Sequence, residues 1–457
     1  MIDPLGAVAI GGAGSAAANA VAVDGNGDIV VVGAFTGMAN FGTTTLTAVE
    51  EEDVFVAKYQ PDGSEIFAIR FGDEVQDDSF FYYQAARDVA VDSQGNIILC
   101  GQFYARLGFG GPVLDAKGDM YPDGFLVKLD KDGGHVWTKR YGDGDNDADN
   151  AMACAVNADD DVIVAGAFST SIHPDNDGVD DQAALLEAPG GNGDFDMFVA
   201  TYEQDGTYIA SESFADEAGT TPVVNGIAIA PNGRIALTGV IDGDFDFGGG
   251  ALMPAGKRGF IAVLDGALNE DHAALFASAK PNVGDGVAFG PLGDLYLLGS
   301  FEETVDLGNG ALTGSNAGDD DIFVAKLDNA YDEIYLSGFG NMSPQQGRGI
   351  AVGSDDRPVI TGRNAGSIDF SSVTVDSAGG YDGFIAKINL VGDGYWALGF
   401  GDAGYQYGTD VAIVPDGAAT NPGGAVLVGN FSGDLDVGTG EIANGATLDC
   451  FFGTYAP

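Results

Sequence analysis

Along the chain a short apolar run, a turn rich in Asp, Asn and Gly, and a second apolar run closing on Gly recur as one phrase. It reads VAVDGNGDIVVVGAF at 21–35 and VAVDSQGNIILCGQF at 89–103. It returns from Cys154, Ile227, Val287 and Ile350, and once more from Val411, where an insertion stretches it to VAIVPDGAATNPGGAVLVGNF. The aligned glycines are Gly33, Gly101, Gly166, Gly239, Gly299, Gly362 and Gly429, so six steps span 396 residues and the mean period is about 66. Asp, Asn and Gly supply the positive φ that tight hairpin turns require, so each phrase predicts a β-hairpin. A polar, Gly-rich connection follows, such as FDFGGGALMPAG at 245–256. Then comes a third strand: DVFVAKY at Asp53–Tyr59, DGFLVKL at Asp123–Leu129, DIFVAKL at Asp321–Leu327 and DGFIAKI at Asp382–Ile388. The fourth ends in an aromatic and then Gly, as in Phe71 and Gly72, Tyr141 and Gly142, Phe339 and Gly340, and Phe400 and Gly401.

Seven units of four antiparallel strands predict an all-β fold, a seven-bladed β-propeller, because radial closure leaves no long open sheet edge. The ends of the sequence point the same way. The seventh copy lacks a fourth strand before Pro457, whereas LGAVAIGGAG at 5–14 matches the fourth-strand phrase YWALGFGDAG at 395–404. Residues 5–10 are therefore expected to be the outer strand of the last blade. The blades fall at about 16–72, 84–142, 150–215, 223–280, 284–340, 347–401 and 408–457, a single domain over 1–457. The middle of the first strand is Ala in every copy: Ala22, Ala90, Ala155, Ala228, Ala288, Ala351 and Ala412. Small size is expected there because blades converge on the axis.

The repeat resembles the bacterial beta-propeller repeat family often called SBBP. The match is carried by Val91-Asp92-Ser93-Gln94-Gly95-Asn96-Ile97, Asp246-Phe247-Gly248-Gly249 and Asp321-Ile322-Phe323-Val324-Ala325-Lys326-Leu327, and it covers essentially the whole chain. The resemblance implies a secreted or surface protein of a Gram-negative bacterium; the family as a class has no settled biochemical role. Copies three and four depart most from it, with Thr201 and Val263 in place of the repeated Lys and Arg258 in place of the Asp.

Composition narrows the partners. The 69 Asp plus Glu against 18 Lys plus Arg give a formal charge of −51, which argues against nucleic acid and against insertion into or attraction to an anionic membrane. The 45% hydrophobic content is too high for a disordered acidic chain. The 73 glycines lack a Gly-X-Y period and report turns. No apolar run approaches the roughly 18 residues of a membrane span, and the start, MIDPLGAVAIGGAG, has neither the basic region nor the apolar length of a signal peptide. Cys100, Cys154 and Cys450 are few and far apart, so each is expected to be a buried small residue.

In repeat proteins, function tends to lie where copies differ. The aspartates that open the third strands, Asp53, Asp123, Asp196, Asp321, Asp382 and Asp449, recur in nearly every copy and are expected to brace turns. Two acidic loops differ between copies. Asp143, Asp145, Asp147 and Asp149 alternate, and Asp175, Asp177, Asp180 and Asp181 surround Gly178. Both patterns can wrap oxygen ligands around Ca²⁺, or can be solvated loops. A third deviation is aromatic: Phe80, Phe81, Tyr82 and Tyr83 before blade two, and Tyr405 and Tyr407 before blade seven, on the face where fourth strands lead into first strands. Such rings can stack on sugars or anchor a protein, or simply pack over a blade edge. The three histidines fall in different blades and are not expected to converge. The leading expectation is a non-catalytic extracellular or surface propeller presenting this face to a protein or glycan, with calcium ordering the acidic loops and no other cofactor. It would be a monomer or part of a larger surface assembly. The alternatives are a lyase or hydrolase using carboxylates and a metal in the central funnel, and a structural subunit of a surface layer or fibre.

Overall fold

The second and third strands carry no alternation of buried and exposed residues. Ile29–Phe35 and Asp53–Tyr59 are buried at every position. A strand reads this way when both faces of its sheet are covered, and here each sheet lies between two others. The computed structural model, which describes residues 4–49, 51–72, 83–116, 121–142, 148–175, 184–188, 195–214, 222–315, 318–442 and 448–457, is an all-β, seven-bladed propeller. Alternate side chains of one strand serve opposite neighbours. Val31, Phe55 and Tyr59 pack with Val426, Val428 and Phe452 of the last blade, while Val30, Val32 and Val54 pack with Leu99 and Phe125 of the second. Among the described residues the hydrophobic core thus divides into seven clusters, one at each seam between blades. Cys100, Cys154 and Cys450 are buried in it, as expected.

The N-terminal strand completes the last blade. Pro4–Gly12 runs antiparallel to Asp449–Tyr455, with Ala7 opposite Gly453 and Ile10 opposite Cys450. It extends two residues past the expected end, and Gly11 and Gly12 pair with Asn40 and Ala39 of blade one. The same steric device recurs in this blade as in the others. A Cβ on Gly72 would lie 2.1 Å from Asp53 Oδ1, and one on Gly340 would lie 1.9 Å from Asp321 Oδ1. At Gly11 it would lie 2.0 Å from Asp449 Oδ1. The Gly at the end of the fourth strand is there because the buried Asp of the third occupies its side-chain space. Those Asp carboxylates brace turns: Val49 N–H donates to Asp53, Ser315 N–H to Asp321 and Ala378 N–H to Asp382.

The connection between second and third strands is more ordered than the sequence suggests. It folds into a two-stranded ribbon, as at Met38–Asn40 with Thr45–Thr47 and at Ser367–Asp369 with Thr374–Asp376. The Asp of the repeated phrase holds the ribbon's turn, since Asp246 Oδ1 accepts from Gly248 N and Gly250 N at 2.7 and 3.0 Å.

Each first strand carries one β-bulge, at Asn19, Arg87, Met152, Asn225, Asp285, Arg348 and Thr409 in blades one to seven. The seven aligned glycines follow from it. At a bulge the strands crowd, and a Cβ on Gly33, Gly101 or Gly239 would lie 1.9, 2.1 or 1.8 Å from the carbonyl oxygen of Ala17, Ala85 or Val223. The recurring alanines are small for a related reason. Ala22, Ala288, Ala351 and Ala412 pack in the seam with the next blade, and the opening on the axis is lined instead by the bulge residues.

Candidate functional site: a polar ring on the axis

A bulge turns one extra side chain out of the ladder, and seven bulges at one level turn seven side chains toward the axis. They surround a cavity of about 160 Å³, together with Asp88 and Asp410, the residues that follow two of them. Six of the seven bulge residues are polar or charged, Met152 being the exception. On the side of blades two to four the ring opens into a second space of about 320 Å³, lined by Arg87, Gln102, Asn150, Met152, Val223 and Asn225. Asn150 and Val223 begin first strands, so this vestibule faces the side where fourth strands lead into first strands.

The ring's hydrogen bonds divide into those that close the wall and those that face the cavity. A bulge strands backbone groups, and side chains from adjoining blades satisfy them. Asn19 Nδ2 donates to Ala86 O at 2.7 Å, Asn225 Nδ2 to Gly284 O at 2.9 Å and Thr409 Oγ1 to Ala18 O at 3.0 Å. The carboxyls are also turned to the wall. Asp88 accepts from Val89 N and Cys154 N at 2.8 Å each, Asp410 from Val411 N at 2.7 Å and Val21 N at 3.0 Å, and Asp285 from Ser300 Oγ at 2.5 Å. The exposed guanidiniums of Arg87 and Arg348 each have one side-chain partner among the described residues, Gln102 Oε1 at 3.3 Å and Gln346 Oε1 at 3.1 Å.

Burial dominates the ring's electrostatics. Desolvation pushes the Asp88 carboxyl up to about 6 against its backbone hydrogen bonds. Asp285 and Asp410 are pushed up to about 7, again chiefly by burial, with the negative charge of Asp88 adding to the rise at Asp410. Near neutral pH these groups are part protonated, able to donate as well as accept.

The sequence-derived candidates lie elsewhere or beyond description. Phe80, Phe81, Tyr82, Asp143, Asp145, Asp147, Asp177, Asp180 and Asp181 fall outside the described residues. Asp149 is buried and accepts from Ser169 N at 3.0 Å; the backbone carbonyl of Asp175 accepts from Lys139 Nζ at 3.1 Å. Among the described residues no three His, Cys, Asp or Glu side chains gather as a metal site. Tyr83 is exposed and meets Tyr104 edge-on, with ring centroids 6.5 Å apart. Tyr405 and Tyr407 lie within the first strand of blade seven, Tyr405–Ile413, and not in the connection before it. Tyr405 is 61% exposed and sits 6.4 Å from the ring of Tyr381, over which the Arg363 guanidinium stacks at 4.4 Å. His135 opens the outermost strand of its blade and is bonded to Thr138 Oγ1, and His272 lies within the outermost strand of its own, Glu270–Leu275, stacked on Tyr331.

Sequence reasoning missed the ring itself. The available signal was a residue three positions before each recurring Ala, polar in six copies and changing from copy to copy in a strand otherwise apolar. No family model matches the chain, and no curated protein matches it. Solved structures resemble it in architecture. They include a polysaccharide lyase of the ulvan lyase family PL25 bound to -[GlcA(1-4)Rha3S]-, at 10% identity and a TM-score of 0.47 over 92% of this chain and 93% of that one. Sqt1 from Chaetomium thermophilum aligns at 11% identity and a TM-score of 0.44 over 98% and 86% of the two chains. YCF48 bound to D1 peptide aligns at 9% identity and 0.42 over 100% and 96%. At this distance the similarity is one of ring and blade, and it carries no chemistry from one protein to another.

Proposed function

We propose that this is a non-catalytic, extracellular or cell-surface propeller of the SBBP type that binds a glycan on the face where fourth strands enter first strands, with one unit of the ligand in the axial cavity. The observation that carries the reading is the ring of bulge residues. It places guanidinium, amide, hydroxyl and carboxyl groups around one opening, the mixture that sorts polyhydroxylated ligands by hydrogen bonding. The exposed Tyr405 beside Tyr381 and Arg363 supplies an aromatic platform of the kind that stacks on sugar rings. A glycan array followed by calorimetry on the hits tests it. Binding that is lost in the Arg87→Gln, Arg348→Gln double variant supports it; a protein that binds no glycan, or binds equally well without both arginines, overturns it.

The calcium part of the reading rests on the alternating aspartates of the two acidic loops. A melting temperature that rises in excess calcium over a chelator supports it, and an unchanged one removes it.

A second reading is favoured by Asp285 and Asp410, whose carboxyls stand near 7. A carboxyl held there is suited to general acid or base work in a lyase or hydrolase. New chain ends or smaller products from an oligosaccharide that binds, lost in Asp285→Asn or Asp410→Asn, would establish that reading.

A further inference from the structure

Taking the axial cavity as a binding site, on which this inference rests, we infer that the ring is built for a carboxylate: its ligand is an acidic sugar or a hydroxy acid of similar size, held through Arg87 and Arg348. The chain has far more carboxylates than cations, and yet these two guanidiniums form no ion pair among the described residues, although Asp88, Asp285 and Asp410 share their ring. The reason is geometric. Each of those carboxyls is spent on the wall, accepting from a backbone N–H or a serine hydroxyl. Among the described residues each guanidinium keeps a single bond, to a glutamine oxygen, and it has five N–H donors in a planar fork. The fork matches the two oxygens of a carboxylate, and the pair is charge-assisted.

The rest of the ring suits the neighbouring hydroxyls. Asn19 and Asn225 use their amide N–H groups on the carbonyls of the next blade, which leaves their oxygens as acceptors for O–H donors. The cavity of about 160 Å³ is of the size that holds a six-membered ring. The vestibule leads away from Arg87, so a longer chain can enter with its acidic end first. Part-protonated carboxyls in the wall reduce the repulsion an anion would otherwise meet in so acidic a protein.

The test is calorimetry on the intact protein with galacturonate, digalacturonate and galactose. The acid is expected to bind at least roughly tenfold more tightly than galactose, since a hydrogen bond to a charged group is worth that much. Arg348→Gln and Arg87→Gln should each lose a similar factor for the acid and a smaller one for galactose, whereas Arg234→Gln, a guanidinium paired with Asp271 and not among the residues lining the axial cavity, should lose nothing. Equal binding of free galacturonate and the disaccharide identifies a free acid as the ligand, and tighter binding of the disaccharide identifies a chain end. If galactose binds as tightly as galacturonate, the carboxylate inference fails and the glycan reading stands. If the glycan array finds no ligand at all, both fail.

Discussion

Lys58 Nζ lies 2.9 Å from Asp24 Oδ2, with both side chains almost sealed from solvent. Asp24 also accepts from Asn26 N and Asp28 N, so the ammonium is tied to the turn between first and second strands. Blade two repeats the arrangement with Lys128 and Asp92 at 2.8 Å. In blades five and six the turn position is Gly290 or Gly353, and Lys326 and Lys387 reach other turn carboxylates, Asp294, Asp356 and Asp355. The remaining blades change both partners together: Thr201 stands with Asn157, Val263 with Ala230 and Thr454 with Val414. The charge leaves in pairs, which fits the physics of buried ions. A buried pair adds little over an apolar one, while an orphaned charge is severely unfavourable.

Lys58→Met is therefore expected to destabilise by about 3–5 kcal/mol, because it strands Asp24 in the seam. Introducing the blade-four pair, Asp24→Ala with Lys58→Val, should recover most of that loss, less about 1 kcal/mol for the turn bonds that Asp24 makes. Urea denaturation of the single and double variants measures both. A double variant as unstable as the sum of its singles would contradict the pairing.

Ring closure depends on a residue whose importance is purely steric. Gly11 has an ordinary backbone conformation, so Ala is not strained there by φ; the obstacle is the Asp449 carboxylate 2.0 Å from the new Cβ. Gly11→Ala is expected to cost about 1–3 kcal/mol, the range for overpacking a filled site, and to expose the N-terminal strand to protease before the rest of the ring. Gly6→Ala is the control on the same strand, since its Cβ would sit 3.7 Å from Thr454 Oγ1 in ordinary contact. Equal behaviour of the two variants would refute the steric account.

Blades, strand order and closure were legible because they rest on local chemistry: turn residues, Asp opposite Gly, and a phrase repeated often enough to align itself. The bulges were not. A bulge is an event between two strands, and Gly33 announces only that something comes close, without saying that it is Ala17 O or that Asn19 swings to the axis as a result. The ribbons were hidden for another reason, being two or three residues long and held by the Asp turn and by burial of Phe41, Phe247 and Phe370 more than by any alternation. The recurring Ala was read correctly as a small-size requirement. The expected contact with the next blade holds, because a strand on the axis presents its edge to the opening and its faces to the seams.

Tyr405 offers a test of the aromatic platform that stability does not confound. It is 61% exposed, so Tyr405→Ala should leave the melting temperature within about a degree or two of the parent. Its loss should weaken any oligosaccharide long enough to reach from the axis to blades six and seven, by roughly 1 kcal/mol if a sugar ring packs on the tyrosine face, and leave a monosaccharide in the ring unaffected. Unchanged affinity for every length of ligand would remove Tyr405 from the site.

The axial carboxyls should make stability depend on pH in a direction opposite to ordinary acid denaturation. Burial raises Asp88 to about 6 and Asp285 and Asp410 to about 7, from 3.8. Between pH 4 and 7 the folded ring keeps protons that the unfolded chain has released, so these groups lower stability as pH rises through that window and their full cost is present above it. Asp285 shows it most clearly, because its surroundings are defined: Ser300 donates to it, Arg348 and Arg363 favour its charge, and Asp320 opposes it. Asp285→Asn keeps an oxygen for the Ser300 hydroxyl and removes the ionisation. The variant should melt above the parent at pH 8, by an amount on the order of a few kcal/mol in stability, and the gap should shrink through pH 6 and close near pH 4. Melting curves of both proteins from pH 4 to 8 decide it; a gap that stays constant across the series would mean that Asp285 does not titrate in this window.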